Sequence, residues 1–395
     1  MRARKRKILK KNKKIEPKIA YISLAIILGF ALIFLFFRPW PDFTDKLYPP
    51  IFEETHSRTP DLNSEIRKID IAIYASLYQR KISEKNIYFF EVKPKHERGH
   101  YWDFTDLYIT LAKTDPFVEL EKAINLELSR LEETVAYKRE HIAKNEIIWH
   151  IFSFGFYTHR LRIKYEGIQR TESGTRPEIA IIIDDLGYNR DLAFSFIHST
   201  LPISLSVLPL APHTKDIANE ANRWGRELML HLPMEPKDYP RLNPGPGTLL
   251  TDMDEKEIRR MMRKHLKGIW GVRGINNHMG SRFTERRDKM SIVFDELRKR
   301  DLFYVDSRTT GQTIAAALGK EMGVPVVSRS VFLDNDLSTP AIRVQMKRLL
   351  SMARHSGKAV GIGHPHKETL SVLQDFLHRF ESEIEVVPVS KLVKR

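Results

Sequence analysis

From about Pro177 to the C-terminus, short apolar runs alternate with amphipathic stretches, a rhythm that few architectures accept. The runs Glu178–Ile183, Ile203–Leu208, Glu227–His231, Gly274–His278, Phe303–Asp306, Pro325–Leu333, Ala359–Ile362 and Ile384–Val389 read as strands. Between them, Asp254–Ile269, Lys289–Lys299, Thr339–Ala353 and Thr369–Phe380 carry apolar residues at helical spacing. Strands and helices in alternation require a parallel sheet with helical crossovers. Seven or eight such units in about 220 residues suit a closed or nearly closed barrel better than an open, doubly wound sheet. A dinucleotide fingerprint is missing, because Gly361-Ile362-Gly363 runs into His364 rather than into a glycine-rich helix start. The expected fold is α/β: a distorted (β/α)7-8 barrel over residues 177–395.

Ionisable residues fall at the ends of these strands. Asp184 and Asp185 end the first, His231 the third, His278 the fourth, Asp306 the fifth, Asp334 the sixth and His364 the seventh. A parallel barrel gathers its strand C-termini on one face, so all of these converge on one mouth. The chain contains no cysteine, which excludes disulfides, thiolate nucleophiles and thiolate-ligated metals. Asp and His without Cys suit a divalent metal, with Zn²⁺ the expected ion. A metal-bound water, a carboxylate to take its proton and a histidine to protonate a leaving group are the parts needed to hydrolyse an ester or amide.

Five segments carry a family resemblance: Ile182-Ile183-Asp184-Asp185-Leu186-Gly187, His231-Leu232-Pro233-Met234-Glu235-Pro236, Asn277-His278-Met279-Gly280-Ser281, Phe303-Tyr304-Val305-Asp306-Ser307-Arg308 and Gly363-His364-Pro365-His366. Together, and in this order, they resemble the divergent polysaccharide deacetylase family. The resemblance implies a βα barrel that removes N- or O-acetyl groups from glycans. It implies Asp184 as general base, Asp185 as metal ligand and His364 as general acid. Better-known deacetylases place two histidines four residues apart, whereas the residue four positions after His231 is Glu235. His278 is expected to supply the missing imidazole, giving the ligand set Asp185, His231 and His278.

Plainer roles compete for several of these residues. Asp184 and Asp185 can cap a helix, but two carboxylates exceed what one cap needs. Asp306 either orients a catalytic histidine, binds substrate or ties down backbone amides, and Asp334 lies in a run that also makes a good turn. Glu235 is either a support for the site or an ion-pair partner, and His366 is a rim residue. The stretch Asn243-Pro244-Gly245-Pro246-Gly247 reads as a rigid turn. His213, His265, His355 and His378 read as structural or solvated, and the basic run Lys256–Lys267 as a solvated helix face.

The N-terminal part has a different texture. Nine of the first fourteen residues are Arg or Lys, so much of the net charge of +15 sits in one arm, residues 1–18. No aromatic-and-basic signature or zinc-finger spacing accompanies it, and a nucleic-acid partner is not expected. Residues 19–37 carry no charge and, as a helix, span roughly 28 Å, about the hydrocarbon thickness of a bilayer. They read as a transmembrane signal anchor of the inner (cytoplasmic) membrane, single-pass, with the N-terminus inside and the barrel in the periplasm or outside the cell. A cleaved signal peptide would have a shorter apolar region and a small-residue cleavage site, which does not follow Phe37.

Residues 38–60 form a tether, and 61–167 a small α+β domain. Its expected elements are a helix over Ser64–Ser83, strands over Asn86–Val92 and Tyr101–Ala112, a helix over Phe117–Ala136 and two strands within Glu146–Tyr165. That α-β-β-α-β-β order suggests a two-layer sandwich that binds or spaces, with a possible envelope protein as its partner. His150 and His159 read there as partly exposed strand residues. Residues 168–176 are a polar linker.

The leading expectation is a metal-dependent hydrolase acting on an acetylated envelope or cell-wall glycan. Its main alternative is a catalytically reduced glycan-binding or assembly module on the same barrel. A metal-free two-carboxylate glycosidase and a metal phosphoesterase are the remaining candidates.

Overall fold

The computed structural model describes residues 62–112, 115–143, 146–165 and 176–393, all within one compact unit, residues 52–395. The basic arm, the apolar segment 19–37 and the tether 38–60 lie outside the described residues. Among the described residues, no helix is long and apolar enough to cross a membrane.

The first layer pair begins with α1 (Leu62–Gln79), β1 (Ile87–Glu97), β2 (His100–Leu111) and α2 (Phe117–Ser129). It continues with β3 (Val135–Ala143), β4 (Glu146–Ser153) and β5 (Phe156–Tyr165). The five strands form one sheet in the order β1-β2-β5-β4-β3. All neighbours are antiparallel except β2 and β5, which run parallel. Ile69, Ile73 and Leu77 of α1 pack with Leu107, Ile109, Trp149 and Leu161 of the sheet in one core.

The sequence places a helix through Ala136, but α2 stops at Ser129 and β3 follows. β3 is an edge strand that buries little beyond Val135. Its charged, largely exposed face leaves no apolar alternation to reveal it.

The second region holds β6 (Glu178–Leu186), α3 (Arg190–Ile197), β7 (Ser204–Val207), α4 (Thr214–Arg223), β8 (Glu227–Met234), α5 (Glu255–Gly268) and β9 (Val272–Met279). Then come α6 (Arg287–Arg298), β10 (Phe303–Asp306), α7 (Ala315–Met322), β11 (Val326–Ser328), β12 (Val331–Phe332), α8 (Thr339–Ser356) and β13 (Lys358–Gly363). The chain finishes with α9 (Lys367–Phe380), β14 (Glu385–Val386) and α10 (Val389–Leu392). The strands run in the order β11-β10-β9-β8-β7-β6-β13-β12, with β14 paired to β6, and every pairing is parallel. This is a curled parallel sheet wrapped by helices, consistent with a distorted (β/α) barrel.

The run expected as one strand, Pro325–Leu333, is divided between the two edges of that sheet. The Arg329 amide donates to Asp306 O at 2.9 Å, on the β10 side, and the next amide, Ser330, donates to Val360 O at 2.8 Å, on the β13 side. Successive amides of extended chain point to opposite sides, so two residues reach both edges where β11 and β12 do not pair.

The two regions are fastened through α8. Ser351 accepts from the Phe89 amide at 3.1 Å and donates to Ile87 O at 2.7 Å, so one hydroxyl satisfies an otherwise open edge of β1. Nearby, Arg348 donates to Asp70 at 3.2 Å and to Thr105, and His159 Nε2 lies 3.3 Å from the same Asp70 oxygen. All four are buried. His159 is therefore a core residue of an ion cluster rather than a partly exposed one. Its acidic partner comes from α1, far away in sequence. His150 is half-buried as expected, with Nδ1 2.7 Å from the Tyr157 hydroxyl.

Candidate metal centre and catalytic mouth

The strands put the ionisable residues where a parallel sheet must, at their C-terminal ends. Asp184 and Asp185 come from β6, His231 from β8, His278 from β9 and His364 from just beyond β13. Three positions at or just beyond these strand ends are non-glycine residues with positive φ: Asp185 at 55°, Met279 at 52° and Arg308 at 51°. Such conformations cost on the order of 1–3 kcal/mol each and persist where the surroundings fix a side chain's direction.

Asp185, His231 and His278 offer one ligand atom apiece within 4.8 Å of one another, and all three residues are buried. Asp185 Oδ1 is 2.9 Å from His231 Nε2 and 2.9 Å from His278 Nδ1. Among the described residues, both Asp185 oxygens and His278 Nδ1 nevertheless lack a partner in good hydrogen-bond geometry. Buried polar atoms left in that state are costly, and here they converge on one point. Ligands about 2 Å from one ion at tetrahedral angles lie about 3.3 Å apart, close to this arrangement. The donor set, one carboxylate and two imidazoles, fits Zn²⁺ or a similar divalent ion.

The electrostatics agree. Burial works against ionisation of Asp185, yet the imidazoles of His278 and His231 hold its carboxyl well below the usual range. Burial also works to lower His231, and the two carboxylates overcome it and raise the imidazole above its ordinary value. A site that draws protons onto its histidine carries surplus negative charge, which a cation would satisfy. Asp184 behaves differently: burial pushes its carboxyl up, and the charge of Asp185 adds to that against the pull of His231 and His364.

Asn276, which sequence reasoning did not single out, organises this cluster. Its Nδ2 donates to both Asp184 oxygens, at 2.9 and 2.8 Å, while its Oδ1 accepts from Ser206 at 2.6 Å and faces His231 Nδ1 at 3.1 Å. An amide oxygen only accepts, so the His231 proton sits on Nδ1 and Nε2 is left with its lone pair facing Asp185. The available signal was a polar pair, Asn276-Asn277, between the apolar Ile275 and the strand-end His278. Asn277 serves the frame, accepting from the Tyr304 hydroxyl at 2.9 Å and the Ser307 amide at 3.0 Å.

His364 is oriented by Asp334, not by Asp306. Asp334 takes His364 Nδ1 at 2.8 Å, the His364 amide at 2.7 Å and the Thr369 hydroxyl at 2.6 Å. Asp306 instead accepts from the Arg308 amide at 2.9 Å and the Thr313 hydroxyl at 3.1 Å, holding the loop after β10. It stands beside the mouth but faces backbone and loop, the third of the roles open to it in the sequence. Glu235 is likewise structural: it accepts from Thr251 and, at 2.7 Å, from Arg282. His265 is buried, its Nε2 2.8 Å from Gly247 O.

The cleft above these residues is also lined by Asn63, Lys95, Trp102 and Asp103 of the first region. No sequence signal links those residues to the barrel motifs.

Among proteins of known sequence, the chain is 37% identical over 216 residues to the uncharacterized protein YibQ of Escherichia coli (strain K12), covering 55% of this chain and 67% of that protein. It is 31% identical over 220 residues to an uncharacterized protein of Haemophilus influenzae, covering 56% and 78%. Among solved structures, an uncharacterized protein from Agrobacterium tumefaciens C58 shares 28% identity and superposes with a TM-score of 0.53, covering 57% of this chain and 92% of that one. Residues 181–393, more than half of the chain and the whole of the strand-end cluster, match the family described as divergent polysaccharide deacetylase, and the chain belongs to that family.

Proposed function

We propose that this protein is a metal-dependent hydrolase that removes acetyl groups from an envelope or cell-wall glycan. In this reading residues 19–37 hold it in the inner membrane with the barrel in the periplasm. The observation that carries the chemistry is the convergence of Asp185, His231 and His278 with three buried polar atoms lacking hydrogen-bond partners. Zn²⁺ held there would polarise the acetyl carbonyl and acidify a water.

The chain's own groups do the rest. Asp184, gripped at both oxygens by the Asn276 amide, is the base that takes a proton from the attacking water. His364 donates its Nδ1–H to the Asp334 carboxylate, and in its imidazolium form it carries a second proton, on Nε2, for the departing nitrogen or oxygen. Burial of all these side chains keeps bulk water from competing for them.

The topology is supported by the uncharged apolar stretch after a strongly basic arm. The domain over 61–167 follows the anchor and precedes the barrel in the chain, and in this reading an envelope protein is its partner.

The test is metal content and acetate release. The full chain is expected to hold about one divalent ion, to release acetate from acetylated chitooligosaccharides or peptidoglycan fragments, and to lose both properties on chelation or in His278→Ala. A chain that holds no ion and gains no activity when ions are added would leave only the glycan-binding module.

A further inference from the structure

The catalytic cleft is built by both regions of the chain, and its charge is unevenly spent. Lys95 and Trp102 come from the β1–β2 hairpin, and Arg308 and Arg329 from the loops after β10 and β11. The carboxylates lining the cleft are engaged. Asp103 faces Arg329 at 3.7 Å, and Asp184 is held by Asn276. Arg329 is itself buried, with Nε donating to Ser307 O at 2.8 Å and its guanidinium 3.8 Å from the centre of the Phe332 ring.

Two cations are left over. Lys95 is exposed, and the contact its ammonium makes among the described residues is with the Phe104 ring, at 5.7 Å. Arg308 uses its backbone amide and carbonyl in hydrogen bonds, and its guanidinium, which lines the cleft, feels the buried Asp306 carboxylate only through its charge, with no ion pair at contact distance among the described residues. A half-buried arginine aimed into a cleft from a left-handed backbone position, with φ at 51°, is held there against a conformational cost.

We infer that the substrate is an acidic glycan, with a carboxylate or similar anion close to the acetylated sugar, and that Lys95 and Arg308 bind that anion. On this inference the N-terminal region is part of the substrate site rather than a spacer, because one of the two cations is carried on its hairpin. An anion bound by two cations in a partly enclosed cleft makes charge-assisted hydrogen bonds, each enough for about tenfold in affinity. The effect weakens with salt because Lys95 is open to solvent. The inference rests on the hydrolase reading for the place of the acetyl group, but the charge of the cleft stands apart from turnover.

The experiment compares two tetrasaccharides on the full chain by calorimetry. One is the neutral tetramer of N-acetylglucosamine. The other alternates N-acetylglucosamine with glucuronic acid, so both offer acetamido groups and only one is charged. Expected are tenfold or greater preference for the acidic sugar at low salt, erosion of that preference in 0.5 M NaCl, about, and its loss in Lys95→Met/Arg308→Asn. The last variant also excludes direct capture of the carboxylate by a metal ion. Equal affinity for the two sugars, including no binding of either, overturns the inference, as does a preference that survives in the double variant. Acetate release from the neutral tetramer with no acidic preference would overturn this inference and leave the hydrolase intact. Acid-selective binding without any acetate release would do the reverse.

Discussion

His364 Nδ1 lies 2.8 Å from Asp334 Oδ1, and that carboxylate also takes the His364 amide at 2.7 Å. Ring and backbone of the histidine are thus fixed by one side chain, contributed by a different strand end. The pairing fixes the ring, with Nε2 facing the mouth, 3.9 Å from Asp185.

Asp334→Ala should therefore lower kcat for acetate release by on the order of 10²–10⁴, the usual worth of a positioned acid or base. Asp306→Ala should lower it less than about tenfold while costing about 1–3 kcal/mol of stability through the Arg308 amide and Thr313 hydroxyl it leaves unpaired. Parallel measurements of kcat and denaturant midpoint on the two variants check the assignment. Equal kinetic losses would return Asp306 to the chemistry.

Asn276→Ala removes the partner that keeps the His231 proton on Nδ1. Supports of that kind are typically worth 10–100-fold in metal affinity. Competitive titration with a zinc chelator should show that loss in a folded protein, whereas Asn277→Ala should mainly lower the melting temperature.

Arg348→Met leaves Asp70 buried without its cation, and breaking such a pair costs about 3–5 kcal/mol. Burial opposes ionisation of Asp70, but Arg348 and His159 hold its pKa below the usual value. A depressed carboxyl adds stability that is complete above its unfolded value, about 3.9, and fades as pH falls from there towards the folded value. Urea melts from pH 6 to pH 3, about, should show that acid loss in the parent and a flatter profile in Asp70→Asn.

Gly247→Ala tests the turn over the barrel. Gly247 has φ of +82°, and a β-carbon added there would sit 2.5 Å from the His265 ring. Strain and collision together should cost about 2–4 kcal/mol. His265→Ala in the same background should recover part of it, because the clash is removed while the strain remains.

The repeating unit of the second region was legible because a parallel strand buried on both faces has few ways to be written. Ile179 to Ile183 are all buried, as their composition requires. Strand-end positions followed from the same logic: once the sheet is parallel, Asp185, His231 and His278 must share a rim. Less was legible where partners are remote. β3 escaped notice because an exposed edge strand need not alternate, and His159 looked half-exposed because Asp70 and Arg348 lie far away in the chain.

Local pattern thus determined which residues gather at the mouth, since side-chain periodicity and chain direction are properties of short segments. Tertiary structure alone decided which of them touch: that Asp334 rather than Asp306 holds His364, that Asn276 joins His231 to Asp184, and that Lys95 overlooks a site built more than eighty residues later. Hydrogen bonds and ion pairs depend on distances of a few ångström between segments, and those are fixed only when the two cores pack together.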